Sequence, residues 1–232
     1  MTKPLSLCLY DNEISLQLIR FWKRYDVSIY DLHIFDYDND RYHRRIMREM
    51  SGVNFSSLRH LYLGAEEFNF EVFKDCKKLT HFKLSCGYVL DDVLKAKKMK
   101  TFLSFNKDTL ESLHLAPDKN TGETYDIFPE DLNSWPNLKY LHITHSDLLP
   151  SRIIESSTLH YLVIFYSPND NIVIKCPNLK GLKIVDIPSY NDLQLKPSDK
   201  YDFDYTCHPS ELQKVGFVVE VSNDCEIGIC MY

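Results

Sequence analysis

No stretch of this chain approaches the ~18 consecutive apolar residues of a membrane-spanning helix. Its 232 residues hold only seven glycines, too few for a flexible or low-complexity chain. The start, Met1 to Asn12, carries an acid too early for a secretory signal. These absences predict an intracellular protein, in cytoplasm or nucleus, with no membrane partner. Excess basic charge is missing as well, since the formal net charge is -6 and the pI about 5.8. Nonspecific nucleic-acid affinity rests on lysine and arginine releasing counterions, so no nucleic acid is expected as a partner.

Paired cysteines are also lacking. The seven present, Cys8, Cys76, Cys86, Cys176, Cys207, Cys225 and Cys230, are odd in number and form no C-x-x-C pair, which predicts free thiols. Cys76 and Cys176 each stand three residues before an apolar phrase, where a small buried residue suits a turn into a strand. There is no glycine-rich phosphate loop, no nucleophile elbow and no H-E-x-x-H, and the carboxylates are scattered. No catalytic residue, no cofactor and no enzymatic activity are expected.

What the chain does have is one phrase, leucine-x-x-leucine-x-leucine, repeated along its length. It reads Leu58-Leu61-Leu63, Leu79-Phe82-Leu84, Leu110-Leu113-Leu115, Leu138-Leu141-Ile143, Leu159-Leu162-Ile164 and Leu179-Leu182-Ile184. Looser copies are Ile29-Leu32-Ile34 and Leu212-Val215-Phe217. The first leucines are spaced by 21, 31, 28, 21 and 20 residues. A recurring apolar phrase at about 20–29 residues is the signature of a leucine-rich repeat. The predicted fold is therefore α/β: a horseshoe solenoid with a parallel sheet on the concave face and helices or irregular segments on the convex face. One domain over 1–232 is expected, with about eight or nine irregular repeats and an irregular insertion at 185–211.

Local patterns place the elements. Leu5-Leu7-Leu9 reads as a strand, and Ile14, Leu18, Phe21, Trp22 and Tyr25 give helical spacing over Glu13 to Tyr25. A second helix is predicted over Asp40 to Met50, with Gly52 as its C-cap. Further convex helices are expected near Glu66 to Cys76, Asp91 to Lys98 and Phe128 to Ser134, and a polar loop over Ala116 to Glu123. Repeats of about 20 residues leave room only for an extended stretch or a short turn of helix. The chain ends almost inside an apolar strand, Ile227 to Met231.

Strand alternation assigns the faces. Side chains at offsets 3 and 5 of each phrase point into the core, and those at offsets 2, 4 and 6 point to the concave surface. Offset 2 carries Asp31, His60, His81, Ser112, Tyr140, Tyr161 and Gly181. Offset 4 carries His33, Tyr62, Lys83, His114, His142, Val163 and Lys183. Offset 6 adds Phe35, Gly64, Ser85, Ala116, Thr144, Phe165 and Val185. His and Tyr also suit a sheet surface by propensity alone. Aromatic anchors are enriched at interfaces, however, so His33, His60, Tyr62, His81, His114, Tyr140, His142, Tyr161 and Phe165 are the expected contact residues for a protein partner. His114 and His142 lie side by side in this scheme, but zinc needs three or four converging ligands and no nearby offset adds a carboxylate or thiolate, so no metal is expected. Their charge change would make partner binding sensitive to pH between about 5 and 8. Arg41, Arg44, Arg45 and Arg48 read as a solvated convex face.

The phrases Trp135-Pro136-Asn137-Leu138 and Cys176-Pro177-Asn178-Leu179 give the chain its family likeness. With their irregular spacing, they resemble the intracellular leucine-rich repeats of F-box proteins. That resemblance implies a substrate-recognition region of a ubiquitin ligase, joined to a cullin ligase adaptor through an N-terminal F-box. Leu9-Tyr10-Asp11-Asn12-Glu13-Ile14 faintly resembles an F-box start, but it lacks the expected proline and reads as repeat one. A different class of function is a structural or regulatory subunit that docks through its convex helices.

Overall fold

The computed structural model describes residues 5–10, 12–35, 40–64, 68–85, 93–116, 127–128, 131–144, 153–166, 172–186, 205–206, 217–221 and 224–231. It is a mixed α/β chain with few helices. The order begins with strand β1 (Leu5–Tyr10), helix α1 (Glu13–Tyr25), β2 (Ile29–Phe35), helix α2 (Asp40–Met50), β3 (His60–Gly64) and β4 (His81–Leu84). Helix α3 (Val93–Asn106), β5 (Ser112–Leu115), β6 (Tyr140–Ile143), β7 (Ile153–Glu155) and β8 (Tyr161–Tyr166) follow. The last strands are β9 (Ile172–Cys176), β10 (Gly181–Asp186), β11 (Tyr205–Thr206), β12 (Phe217–Val221) and β13 (Glu226–Met231). No described helix is long and apolar enough to cross a membrane.

Nine strands form a parallel sheet in the order β1-β2-β3-β4-β5-β6-β8-β10-β13, and β11 adds antiparallel to β13. The pairing is in register along the phrase. Leu32, Leu61, Phe82, Leu113, Leu141, Leu162 and Leu182 are consecutive partners, and all are buried. Two residues on, Ile34, Leu63, Leu84, Leu115, Ile143, Ile164 and Ile184 form a second buried row. A smaller parallel sheet, β12-β9-β7, supplies Ile154, Ile172, Ile174 and Cys176 to the same core. That core runs without a break from Leu9 to Ile227 and takes in Leu16, Ile19 and Trp22 of α1 and Met99, Phe102 and Leu103 of α3.

The first two helices have the expected limits, each for a local reason. Asn12 caps α1 by accepting from the Ser15 N–H at 3.0 Å, and Asp26 ends it in the left-handed region at φ 46°. Gly52, at φ +85°, turns the chain after α2, and the Val53 N–H donates to the Met50 carbonyl at 3.0 Å. Helix α3 extends past Lys98 to Asn106 because Ala96, Met99, Leu103 and Asn106 continue one buried stripe. The short repeats do carry extended stretches, β7 and β9, opposite the main sheet.

Three expectations need correction. The helices expected near Glu66 to Cys76 and Phe128 to Ser134 are reduced to 3-10 turns at Phe70–Phe73 and Leu132–Ser134. In the first, Phe70 and Phe73 both bury and meet Phe102 at 5.1 and 6.4 Å, which a single tight turn achieves without a longer helix. Of the phrase Leu212-Val215-Phe217, Leu212 and Val215 lie outside the described residues and Phe217 opens β12 rather than a strand of the main sheet, where β13 takes the place beside β10. Ile227 and Ile229 there pair with Leu182 and Ile184, but Asp224 stands where the leading leucine would be, which hid the phrase. The expected loop over Ala116 to Glu123 and the insertion at 185–211 lie largely outside the described residues.

Polar side chains stitch successive turns. Asn137 and Asn178 each donate through Nδ2, at 2.7 Å, to the Asp108 and Ser157 carbonyls. Buried Asn106 accepts from the Leu79 N–H at 3.2 Å and donates to the Phe102 carbonyl at 3.2 Å. Cys76 and Cys176 are fully buried at the positions expected of them, and burial pushes both thiols up to about 12.

Replacing Leu141 by alanine should cost ~2–5 kcal/mol, as a fully buried large-to-small change. Lys139→Ala removes only a surface ion pair with Glu111 at 3.4 Å and should stay within ~0.5 kcal/mol. Urea unfolding of both variants measures the difference, and equal small losses would refute the register.

Candidate functional site

The side chains opposite the leucine rows form rows of their own. Asp31, His60, His81, Ser112, Tyr140 and Tyr161 are consecutive cross-strand partners. So are His33, Tyr62, Lys83, His114 and His142. The face expected to gather the nine contact residues therefore exists, but it divides into two unlike halves.

In one half the rings are covered. His114 is 5% exposed, His142 3% and Phe165 3%, contrary to the expectation of an exposed patch there. The His114 and His142 rings lie 3.8 Å apart by centroid, and Phe165 stacks on His142 at 5.3 Å with planes 12° apart. His114 Nδ1 and His142 Nε2 are buried without a hydrogen-bond partner. Burial is the main cause that holds both bases below their usual value. Each ring's charged neighbours add to it: His142 and Lys83 for His114, Lys83 and Lys183 for His142, which falls to about 3. The expected titration of this pair between pH 5 and 8 is thereby displaced toward lower pH in the folded protein.

The other half is open. His33, His60, Tyr62, His81 and Tyr140 keep part of their surface exposed around a cavity of about 230 Å³. Asp31, Lys83, Ser112 and His114 also line it, with Leu61 and Phe82 at its floor, so residues from β2 to β6 all contribute. His33 stacks on Tyr62 at 5.4 Å, Phe35 meets Tyr62 at 5.0 Å, and Lys83 Nζ stands 4.7 Å above the Tyr62 ring centre. His60 and His81 meet edge to face at 4.5 Å. Burial, followed by the neighbouring His60, lowers the His81 pKa. Asp31 accepts from the Ser6 hydroxyl at 2.8 Å and lies 3.0 Å from His33 Nε2. Burial raises the Tyr140 phenol to about 12, so it remains a hydrogen-bond donor at any physiological pH.

Tyr161 is half-buried beside Gly181, where a Cβ would come within 3.1 Å of its ring. A glycine is what lets the tyrosine lie flat on the next strand. Asp31, Lys83 and Ser112 were absent from the expected contact set although their offsets place them on the same rows, because the choice favoured aromatic rings. Among the described residues no group of three or more His, Cys, Asp or Glu is placed to hold a metal ion. Arg45, on the opposite side, lies 3.9 Å from Glu13. No protein-family model, curated protein or solved structure matches this chain.

The buried histidine pair has a consequence for stability. His142 titrates near 6.5 when unfolded and about 3 when folded, so the unfolded chain binds more protons as acid is added. Its contribution is whole above pH 6.5 and is lost progressively below it, by about 2 kcal/mol at pH 5. Urea unfolding at pH 7.5 and at pH 5 should show a smaller acid loss for His142→Phe than for the parent. Identical losses would show that this imidazole is not held neutral.

Proposed function

We propose that this chain is a leucine-rich repeat solenoid acting as a noncatalytic protein-recognition module, with the open half of its strand face as the recognition surface. The observation that carries this reading is the cavity of about 230 Å³ lined from five successive strands. Its size suits one large side chain of a partner, and its walls combine aromatic rings with a cation, a carboxylate and a phenol donor. Interfaces concentrate their energy in such anchor pockets, where an aromatic or aliphatic side chain is fully desolvated. The likeness of the phrases to F-box protein repeats makes the proposed role the substrate-recognition part of a ubiquitin ligase.

The test begins with proximity labelling in the native cell and ends with measured affinities for the partner it recovers. Changing Tyr62 and Tyr140 together to alanine should weaken binding by about 2 kcal/mol or more, roughly thirtyfold. Arg45→Ala and Lys97→Ala, on the helical side, should leave it within about threefold, because exposed charges mainly tune association rate. The reverse pattern would place recognition on the helices and favour a structural or regulatory subunit.

A further inference from the structure

Helix α1 carries an apolar stripe that its own core does not use. Ile14, Leu18, Phe21 and Tyr25 follow at intervals of four, three and four residues, the spacing of a helix-pairing seam. Ile14 is 69% exposed, Phe21 52% and Tyr25 58%, while Leu18 is partly buried. The Phe21 and Tyr25 rings lie 4.6 Å apart and Arg24 stands 5.5 Å over Tyr25, so the stripe is a preformed surface.

Its direction follows from helix geometry. Leu16, Ile19 and Trp22 face the core. Glu13 and Arg20 face α2, through Arg45 at 3.9 Å and Glu49 at 2.9 Å. At 100° per residue, the core, α2 and the stripe divide the helix into sectors about 120° apart. The stripe therefore points away from α2, off the end of the sheet. Strand β1 is the terminal strand at that end, and its Leu5 and Tyr10 are 37% and 47% exposed. Helix stripe and strand edge make one end face.

We infer that this end face pairs with that of a second copy of the chain across a two-fold axis, α1 antiparallel to α1 and β1 edge to β1 edge. Three observations favour a second copy. Taking 150–250 Å² per aromatic side chain, the exposed parts of the stripe with Leu5 and Tyr10 come to on the order of 500 Å². Two such faces bury on the order of 1,000 Å², the threshold for a specific interface. An antiparallel two-fold sets each helix end beside the opposite end of its partner's dipole. Finally, β1 reads Leu-Ser-Leu-Cys-Leu-Tyr, with no charge or proline to keep another strand from its edge.

Sedimentation equilibrium on the intact purified chain tests this. The expected result is a monomer–dimer equilibrium in the micromolar range. Phe21→Glu, at an exposed position, should weaken it by at least about tenfold while circular dichroism and thermal unfolding stay unchanged. Tyr25→Glu, exposed on the same stripe, should weaken it likewise. A chain that is monomeric at about 100 μM overturns the inference, whether the face then takes another protein or none. So does a dimer indifferent to both Phe21→Glu and Tyr25→Glu.

Discussion

In-register parallel pairing is the constraint on which the rest of this structure depends. Each phrase meets the next at the same offset, so one residue type repeated in sequence becomes a continuous row in space. A slip of one residue would turn both leucine rows outward, and the apolar burial of seven consecutive strands opposes it at once. The same lock fixes the rows of the opposite face. Turn side chains reinforce it: the Thr80 and Thr158 hydroxyls donate to the Arg59 and Trp135 carbonyls of the preceding turns, at 3.2 and 3.1 Å. Backbone groups that short irregular turns would leave unsatisfied are thereby paired.

The imidazole rows show how one residue type takes two roles. His60 and His81 keep contact with water, whereas His114 and His142 have exchanged it for each other and for Phe165. Desolvation outweighs every other influence on the buried pair, and the nearby lysine charges push in the same direction. What remains is packing: two flat rings fill a row that Val163 continues, with Phe165 of the next row stacked on His142. In the open half Tyr62 carries contacts from His33, Phe35 and Lys83 together.

Much of this was legible in the sequence wherever period and caps agreed. The strand register, both leucine rows, and the limits of α1 and α2 followed from the phrase, the helical spacing over Glu13 to Tyr25, and Gly52. Burial on the far face was not legible, because alternation says which way His114 points and nothing of what its neighbours cover. The end of α3 was missed by stopping at a lysine-rich stretch while the buried stripe ran on through Phe102 and Leu103. The last strand was expected over Ile227 to Met231, but its place beside β10 was missed, because an acid stands at the position the phrase reserves for leucine. The open groove was half legible: its rings were expected as contacts, but Asp31 and Lys83 became part of it only through their place on the rows.

The two surfaces are geometrically linked. The groove is built from β2 to β6, on the half of the sheet nearer to the β1 end. A two-fold axis normal to the sheet at that end keeps the strand faces of both copies on the same side. Two grooves would then face one partner surface, near one another across the joint. A target with two matching anchors would bind the second as an intramolecular event, gaining avidity with no further contact on either groove. Weak association at the end face is compatible with this, because a bivalent target itself supplies free energy that holds the two copies together.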